Sequence, residues 1–154
     1  MNLLTKLRAR SVKATHQSGQ SPSWDGWFAE AYNEFAVVLD TVRRNTPLAS
    51  PNGYYPYGTL HILPQILPLL DRHGVDLKTL VAGRAILDVG CGDGDLGFLL
   101  ERVGAATVTA IDAAPFNYNG LDGFRALRAA LNSQVELVEA DIHTLDFSRC
   151  RAST

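Results

Sequence analysis

The chain has 154 residues, enough for a domain with a sizeable core, and 46% of them are hydrophobic. Its formal net charge is −2, and no apolar run approaches the roughly 18 residues that argue for a membrane-spanning helix. Two cysteines in a chain of this length are typical of a reducing compartment, so we expect a cytoplasmic protein without a membrane partner.

The first 24 residues differ in charge from the rest. They contain four of the 14 basic residues (Lys6, Arg8, Arg10 and Lys13) and none of the 16 acidic ones. This composition predicts a disordered basic arm over residues 1–24, with an organelle transit peptide as the alternative. The remaining chain is acidic and lacks a basic stripe, which argues weakly against a large nucleic-acid footprint.

Residues 25–83 predict a helical cap. A first helix is expected from near Asp25 to a point before Pro47, and apolar side chains at helical spacing form its core face: Trp27, Phe28, Ala31, Tyr32, Phe35, Val38, Leu39 and Val42. A second apolar stretch covers 59–73, where two prolines limit or kink the helix. A short third helix is expected over 76–82. The turn-rich segment 51–58 carries three tyrosines and is either a lid beside a ligand or an irregular connector.

Residues 84–97 read Arg-Ala-Ile-Leu-Asp-Val-Gly-Cys-Gly-Asp-Gly-Asp-Leu-Gly and predict a strand, a glycine loop and a helix. The strand is Ala85–Val89, and the helix continues at apolar helical spacing to a stop at Gly104. Glycines permit positive φ and would let a ligand lie against bare backbone N–H groups. This order of elements is the one that a nucleotide-type site requires.

Charge distinguishes between the ligands that such a loop could bind. Gly92, Gly94 and Gly97 fit the spacing of a dinucleotide site, which presents backbone donors to a pyrophosphate. Three acidic residues, however, crowd the loop with negative charge: Asp88, Asp93 and Asp95. Such charge favours a ligand with an ammonium group, a sulfonium and no phosphate. An NAD-dependent oxidoreductase and a glycine-rich turn without a ligand remain as alternatives.

Two further strands are expected downstream. The run Thr107–Ile111 ends in Asp112, about 20 residues past the loop, where an acid can accept hydrogen bonds from ribose hydroxyls or merely cap a turn. Asp122 is expected to N-cap a helix that ends near 132–133. The alternating run 135–140 predicts the third strand. Pro115, Asn117, Tyr118 and Asn119 either border an adenosine pocket or form an ordered surface loop.

The string Leu-Asp-Val-Gly-Cys-Gly-Asp-Gly at 87–94 resembles the first motif of class I S-adenosylmethionine-dependent methyltransferases. The resemblance covers 84–142 and implies an α/β fold with a Rossmann-like sheet and S-adenosyl-L-methionine as cofactor. It places Asp112 on the ribose and the Asp141 neighbourhood beside the adenine amino group. The stretch 111–127 resembles a bacterial subgroup similar to tRNA wobble-uridine methyltransferases. The cofactor-binding residues expected from the motif are Asp88, Gly90, Cys91, Gly92, Asp93, Gly94, Asp112, Ala113, Asp141 and Ile142.

Only three strands are readable, whereas the resemblance implies a seven-stranded sheet. We therefore expect 84–154 to be a truncated half-domain whose Ala85–Val89 edge is free to self-associate. Such a chain is expected to be inactive alone, because acceptor-activating residues in this family often follow the fourth strand. No catalytic residue is assigned, and the acceptor is either a small molecule or RNA. The alternative is a non-catalytic cofactor-binding module or partner subunit.

Histidine and cysteine positions do not predict a metal site. The four histidines lack ligand spacing, and the two cysteines, Cys91 and Cys150, form no cluster. Cys91 is expected to be a small apolar residue of the loop. His143 is either a loop side chain in water or a residue on the acceptor side of the site.

Overall fold

The computed structural model describes residues 24–75 and 77–145. The basic arm expected at 1–24 therefore lies outside the described residues except for Trp24, and so does the tail from Ser148. The described elements are α1 (Trp24–Asn45), a 3-10 turn (Thr59–His61), α2 (Leu63–Arg72), α3 (Leu77–Val81), β1 (Ala85–Val89), α4 (Asp95–Arg102), β2 (Thr107–Asp112), α5 (Asp122–Leu131) and β3 (Glu136–Glu139).

The three described strands form one parallel sheet in the order β1-β2-β3. Val89 at the end of β1 pairs with Ile111, and Asp112 at the end of β2 pairs with Glu139. The carboxyl ends of all three strands therefore meet at one edge of the sheet, where α/β proteins bind ligands. The α/β fold expected from the sequence is confirmed.

The helical cap shares its core with the sheet unit. Along α1, Phe28, Phe35 and Leu39 are buried, as their helical spacing predicts. They belong to the same cluster as Phe98 of α4 and Phe124 of α5. Because these rings form one continuous core, α1 is held against the two helices that follow β1 and β2.

The second cap helix differs from its prediction. Residues 59–73 divide into the 3-10 turn and α2, with Pro68 inside α2. Proline lacks the N–H of a helical hydrogen bond, which limits helix stability here. Three apolar residues of this stretch are exposed, namely Ile62, Ile66 and Leu69. The apolar stretch therefore located the helix but not its exact bounds.

The start of α5 differs from the prediction that Asp122 is its N-cap. Asp122 is not the N-cap: Leu121 occupies that position with a left-handed φ of 72°, and the helix begins at Asp122. The loop before it is held instead by Asn117, whose Oδ1 accepts the N–H of Leu121 at 3.0 Å. The cap interaction comes from a residue four positions earlier than the N-cap position itself.

Within the described residues, β1 has a strand partner on its β2 side only. Leu87 and Val89 point to the same face of the sheet and are 42% and 44% exposed. Self-association through this edge stays a prediction. A search of the described residues finds no helix with the length and apolar content of a membrane span.

Candidate functional site at the strand ends

A cleft of about 430 Å³ opens at the carboxyl ends of the three strands. This volume lies in the range of small-molecule sites. The cleft brings together five of the residues expected to bind the cofactor, and five others complete its wall. The lining residues are Val89, Gly90, Ile111, Asp112, Ala113, Phe116, Ala140, Asp141, Ile142 and His143.

Asp112 is the acid at the centre of this cleft. Its Oδ2 accepts the N–H of Gly92 at 2.9 Å and the side-chain amide of Asn117 at 3.1 Å. Its Oδ1 accepts the N–H of Ala113 at 2.8 Å. A carboxylate has about four acceptor positions, so these three donors leave capacity for a further donor, such as a ribose hydroxyl, at Oδ1.

The backbone of the glycine loop does not offer a bare row of donors, which corrects the expectation from the sequence. Gly90 and Cys91 both donate to the carbonyl of Ile111, at 2.8 and 3.1 Å, while Gly92 donates to Asp112. Gly94 donates to the carbonyl of Cys91 at 2.8 Å. Since a pyrophosphate site requires free N–H groups, this loop favours a cofactor without phosphate.

The loop glycines serve different purposes. Gly90 lines the cleft, has a φ of 72°, and has nothing within 4 Å of the place where a Cβ would be. Gly94 instead lies against the Phe98 and Phe124 rings, whose centroids are 5.1 Å apart. The missing side chain at Gly94 therefore permits core packing, whereas at Gly90 it leaves room for a ligand.

We expect Gly94→Ala to destabilise the protein strongly. An added Cβ would lie 2.5 Å from the Phe124 ring, and the φ of 86° is strained for any residue with a side chain. Overpacking and backbone strain together predict a loss of about 3 kcal/mol of unfolding free energy, measurable by urea denaturation. Gly53→Ala is the matched control, because it also has a positive φ but open space around it. Equal losses in both variants would contradict the packing role.

Arg43 of α1 reaches across to the glycine loop and neutralises part of its charge. Its Nη2 donates to both carboxylate oxygens of Asp95, at 2.8 and 3.0 Å, and lies 3.6 Å from Oδ2 of Asp93. The guanidinium also stacks over the Tyr54 ring, 5.4 Å from its centroid. Two of the three loop carboxylates thus face a cation supplied by the cap. The loop is therefore less negative than the sequence predicts, and its occupied N–H groups are the stronger reason to expect a cofactor without phosphate.

Asp93 is buried, with 1% of its side chain exposed. Its Oδ2 accepts the N–H of Tyr55 at 2.6 Å, and its Oδ1 accepts the amide of Asn119 at 2.8 Å. Asn119 also donates to the carbonyl of Gly53 at 3.0 Å. Segment 51–58 is thereby tied to the loop through Asp93, whose carboxylate faces the cap and does not line the cleft.

Asp88 at the end of β1 is the third carboxylate of the loop. Burial raises its pKa, the N–H of Gly97 opposes that shift, and the charges of Asp112 and Asp95 add to it. Its Oδ2 is buried without a hydrogen-bond partner. Asp88 does not line the cleft. A contact between the cofactor and Asp88, Cys91, Gly92, Asp93 or Gly94 stays a prediction.

Asp88→Asn is expected to raise the thermal midpoint at neutral pH. Because the folded-state pKa of Asp88 is raised, its contribution to stability is lost as pH rises, over the window that runs from the ordinary aspartate pKa up to its own raised pKa. The amide cannot ionise, so the variant should lose less stability across that window, with a gain of about 1 kcal/mol at its upper end. Calorimetry at several pH values would measure this. Asp122→Asn on the exposed start of α5 is the control, and a lower midpoint for Asp88→Asn than for wild type at neutral pH would contradict the burial argument.

Cys91 is buried, and its burial, followed by the charges of Asp88 and Asp112, raises the pKa of the thiol to about 12. A thiol with that pKa is protonated at neutral pH and is a poor nucleophile. The expectation that Cys91 is a small apolar residue of the loop agrees with this setting. Cys150 lies outside the described residues.

The end of β3 completes the cleft. Asp141 accepts the N–H of His143 on its Oδ1 at 2.9 Å, and the N–H of Ala140 donates to the carbonyl of Asp112 at 3.0 Å. These bonds hold Asp141 and Ile142 beside Asp112. Ile142 and Phe116 are exposed and offer apolar surface on which a flat ring can lie.

Comparison with known proteins finds similarity to methyltransferases. Residues 86–153 match a family model described as a methyltransferase domain. The ubiquinone biosynthesis O-methyltransferase of Neisseria meningitidis is 38% identical over 105 residues, which cover 61% of this chain and 40% of that protein. Residues 86–153 of this chain are thus similar to a methyltransferase domain. The mitochondrial ubiquinone biosynthesis O-methyltransferase of Schizosaccharomyces pombe is 32% identical over 85 residues, 51% of this chain and 31% of that protein.

The chain spans less than half the length of these two methyltransferases. Among solved structures, a proposed RNA methyltransferase from Pyrococcus horikoshii gives a TM-score of 0.49 at 16% identity, over 75% of this chain and 52% of that one. The finer resemblance to tRNA wobble-uridine methyltransferases is not confirmed by these matches and stays a prediction.

Proposed function

We propose that this chain binds S-adenosylmethionine in the cleft at the strand ends and uses it to methylate an acceptor. The observation that carries the proposal is Asp112, a carboxylate with a free acceptor position in a cleft of about 430 Å³. The backbone N–H groups of the glycine loop support this cofactor, because they donate to acceptors within the protein. S-adenosylmethionine has no phosphate that would need them as donors.

The chain's residues would bind and orient the cofactor. Asp112 would accept a ribose hydroxyl at the open position of Oδ1, Ala113 and Ile142 would flank the adenine, and Gly90 would leave room for the methionine portion. When bound, S-adenosylmethionine supplies an electrophilic methyl group on a sulfonium. The protein's main task is then positioning and the exclusion of water, which needs no charged catalyst on this part of the chain.

Under this proposal the methyl acceptor is a small molecule or RNA. A cytoplasmic location rests on cysteine usage and on the buried free thiol of Cys91. A non-catalytic cofactor-binding role is the second candidate, because the described residues form three strands and none of them is assigned a catalytic role.

Isothermal titration of the full chain with S-adenosylhomocysteine and with NAD tests the proposal. We expect one molecule of S-adenosylhomocysteine to bind per chain and no heat from NAD. Binding of NAD alone would overturn the proposal in favour of the oxidoreductase alternative. Binding of S-adenosylhomocysteine with no methyl transfer to any acceptor, in assays with small phenols and with RNA, would favour the non-catalytic module.

A further inference from the structure

Asn117 makes four side-chain hydrogen bonds between the glycine loop, β2 and the start of α5. Its amide Nδ2 donates to Oδ2 of Asp112 at 3.1 Å and to the carbonyl of Gly92 at 3.3 Å. Its Oδ1 accepts the N–H groups of Asn119 and Leu121, at 3.1 and 3.0 Å. The side chain can be oriented in one way only, because one end faces two acceptors and the other faces two donors.

The Nδ2 amide of Asn117 determines which oxygen of the Asp112 carboxylate keeps an open acceptor position. Asn117 and the N–H of Gly92 both occupy Oδ2, while the N–H of Ala113 alone occupies Oδ1. With both donors in place, Oδ2 is filled and Oδ1 keeps an open acceptor position. Loss of the Asn117 amide would free Oδ2 and allow the carboxylate to rotate.

The acceptor end of Asn117 has a separate task. It holds the backbone of Leu121, whose φ of 72° precedes α5, and of Asn119, whose side chain bonds Asp93. The two ends can therefore be changed independently. Removing only the donor should leave the loop in place while releasing Asp112.

We propose that Asn117 is a positioning residue for cofactor binding, acting through the Asp112 carboxylate and not through contact with the ligand. Asn117 does not line the cleft, which agrees with an indirect role. The inference rests on the proposed function, since it names the residue that would orient the ribose acceptor.

Asn117→Asp is the decisive variant, because it keeps both acceptor contacts and replaces the donating amine with a second oxygen facing Asp112. We expect its affinity for S-adenosylhomocysteine to fall about tenfold or more, by isothermal titration. Asn52→Ala is the matched control: it removes an exposed asparagine that donates to the Tyr118 carbonyl at 2.7 Å in the same loop but does not reach Asp112. Its affinity should stay within about twofold of wild type.

A double-mutant cycle separates positioning from a general structural role. In the Asp112→Ala background, Asn117→Asp should change affinity by less than about twofold, because its route of action has been removed. A loss as large as in the wild-type background, or no loss in either background, would overturn the inference. If Asn117→Asp fails to fold, Asn117→Ser takes its place, since serine also bonds nearby backbone but is too short to reach Asp112.

Hydrogen exchange measured by NMR without ligand gives a second readout. The Gly92 amide should exchange faster in Asn117→Asp than in wild type, because Asp112 is no longer held against it, and should be unchanged in Asn52→Ala. Unchanged Gly92 exchange in Asn117→Asp would overturn the positioning role. If wild-type protein does not bind S-adenosylhomocysteine, the proposed function fails, while the Gly92 exchange still decides whether Asn117 positions Asp112.

Discussion

Asp112→Ala is expected to weaken the binding of S-adenosylhomocysteine by one to two orders of magnitude. A hydrogen bond to a charged group contributes about 1.5–3 kcal/mol, and the ribose would lose its carboxylate acceptor. The substitution also leaves the N–H of Gly92 and the amide of Asn117 without their shared acceptor. Isothermal titration would measure the affinity, and circular dichroism would verify that the variant is folded.

The control for this substitution is Asp122→Ala, which removes an exposed acid at the start of α5 outside the cleft. Its affinity should match that of wild type. Equal affinities for wild type and Asp112→Ala would refute the ribose role of Asp112. Loss of binding in both variants would instead indicate a general electrostatic effect of the acidic surface.

The sequence predicts the sheet unit well because its signals are local. Apolar runs of strand length, glycines at the turns and helical spacing after them place β1, β2 and β3 within one or two residues of their observed bounds. Parallel pairing then requires Asp112 and Asp141 to meet at one edge. The pairing of Asp112 with Glu139, two residues before Asp141, is the physical reason that this part of the site could be predicted.

The environment of the loop carboxylates could not be predicted, because it depends on contacts between distant parts of the chain. Arg43 lies 52 positions before Asp95, and Asn119 lies 26 positions after Asp93. Nothing in the local pattern of α1 distinguishes Arg43 from Arg44. The sequence therefore predicts a larger negative charge for the loop than the structure has once Arg43 is included.

The sequence places Asn117 in a polar segment but does not predict which role the residue has. The polar run around it indicates an ordered turn, and both an adenosine border and a surface loop fit that pattern. The structure places Asn117 outside the cleft lining yet in contact with Asp112. A residue that acts through a neighbour leaves no motif of its own, so only the geometry identifies it.

Arg43→Met is expected to cause a large loss of stability. Methionine can retain the packing of the arginine stem, but Asp95, with 5% of its side chain exposed, loses the only cation within ion-pair distance among the described residues. Removing one partner of a buried pair costs about 3 kcal/mol, or about 10 °C in thermal midpoint for a chain of this size. Calorimetry of wild type and variant would measure the shift.

Arg44→Met provides a matched control from the next position in α1. Arg44 pairs with Asp40 at 2.7 Å, but both side chains are more than 60% exposed, so its loss should cost less than about 0.5 kcal/mol. Arg43→Lys should give an intermediate loss, because a lysine ammonium lacks the planar fork that donates to both oxygens of Asp95. Similar midpoints for the Arg43 and Arg44 variants would contradict a buried ion pair.

The loss in Arg43→Met should also depend on pH. Burial raises the pKa of Asp95, and Arg43 is the main influence that lowers it, so removing Arg43 raises that pKa further. A raised folded-state pKa means that stability falls as pH rises through it, and the deficit of the variant should therefore be smallest near the ordinary aspartate pKa and grow as the pH rises above it. A deficit that is constant across this window would mean that Arg43 stabilises the cap by packing on Tyr54 and not through the charge of Asp95.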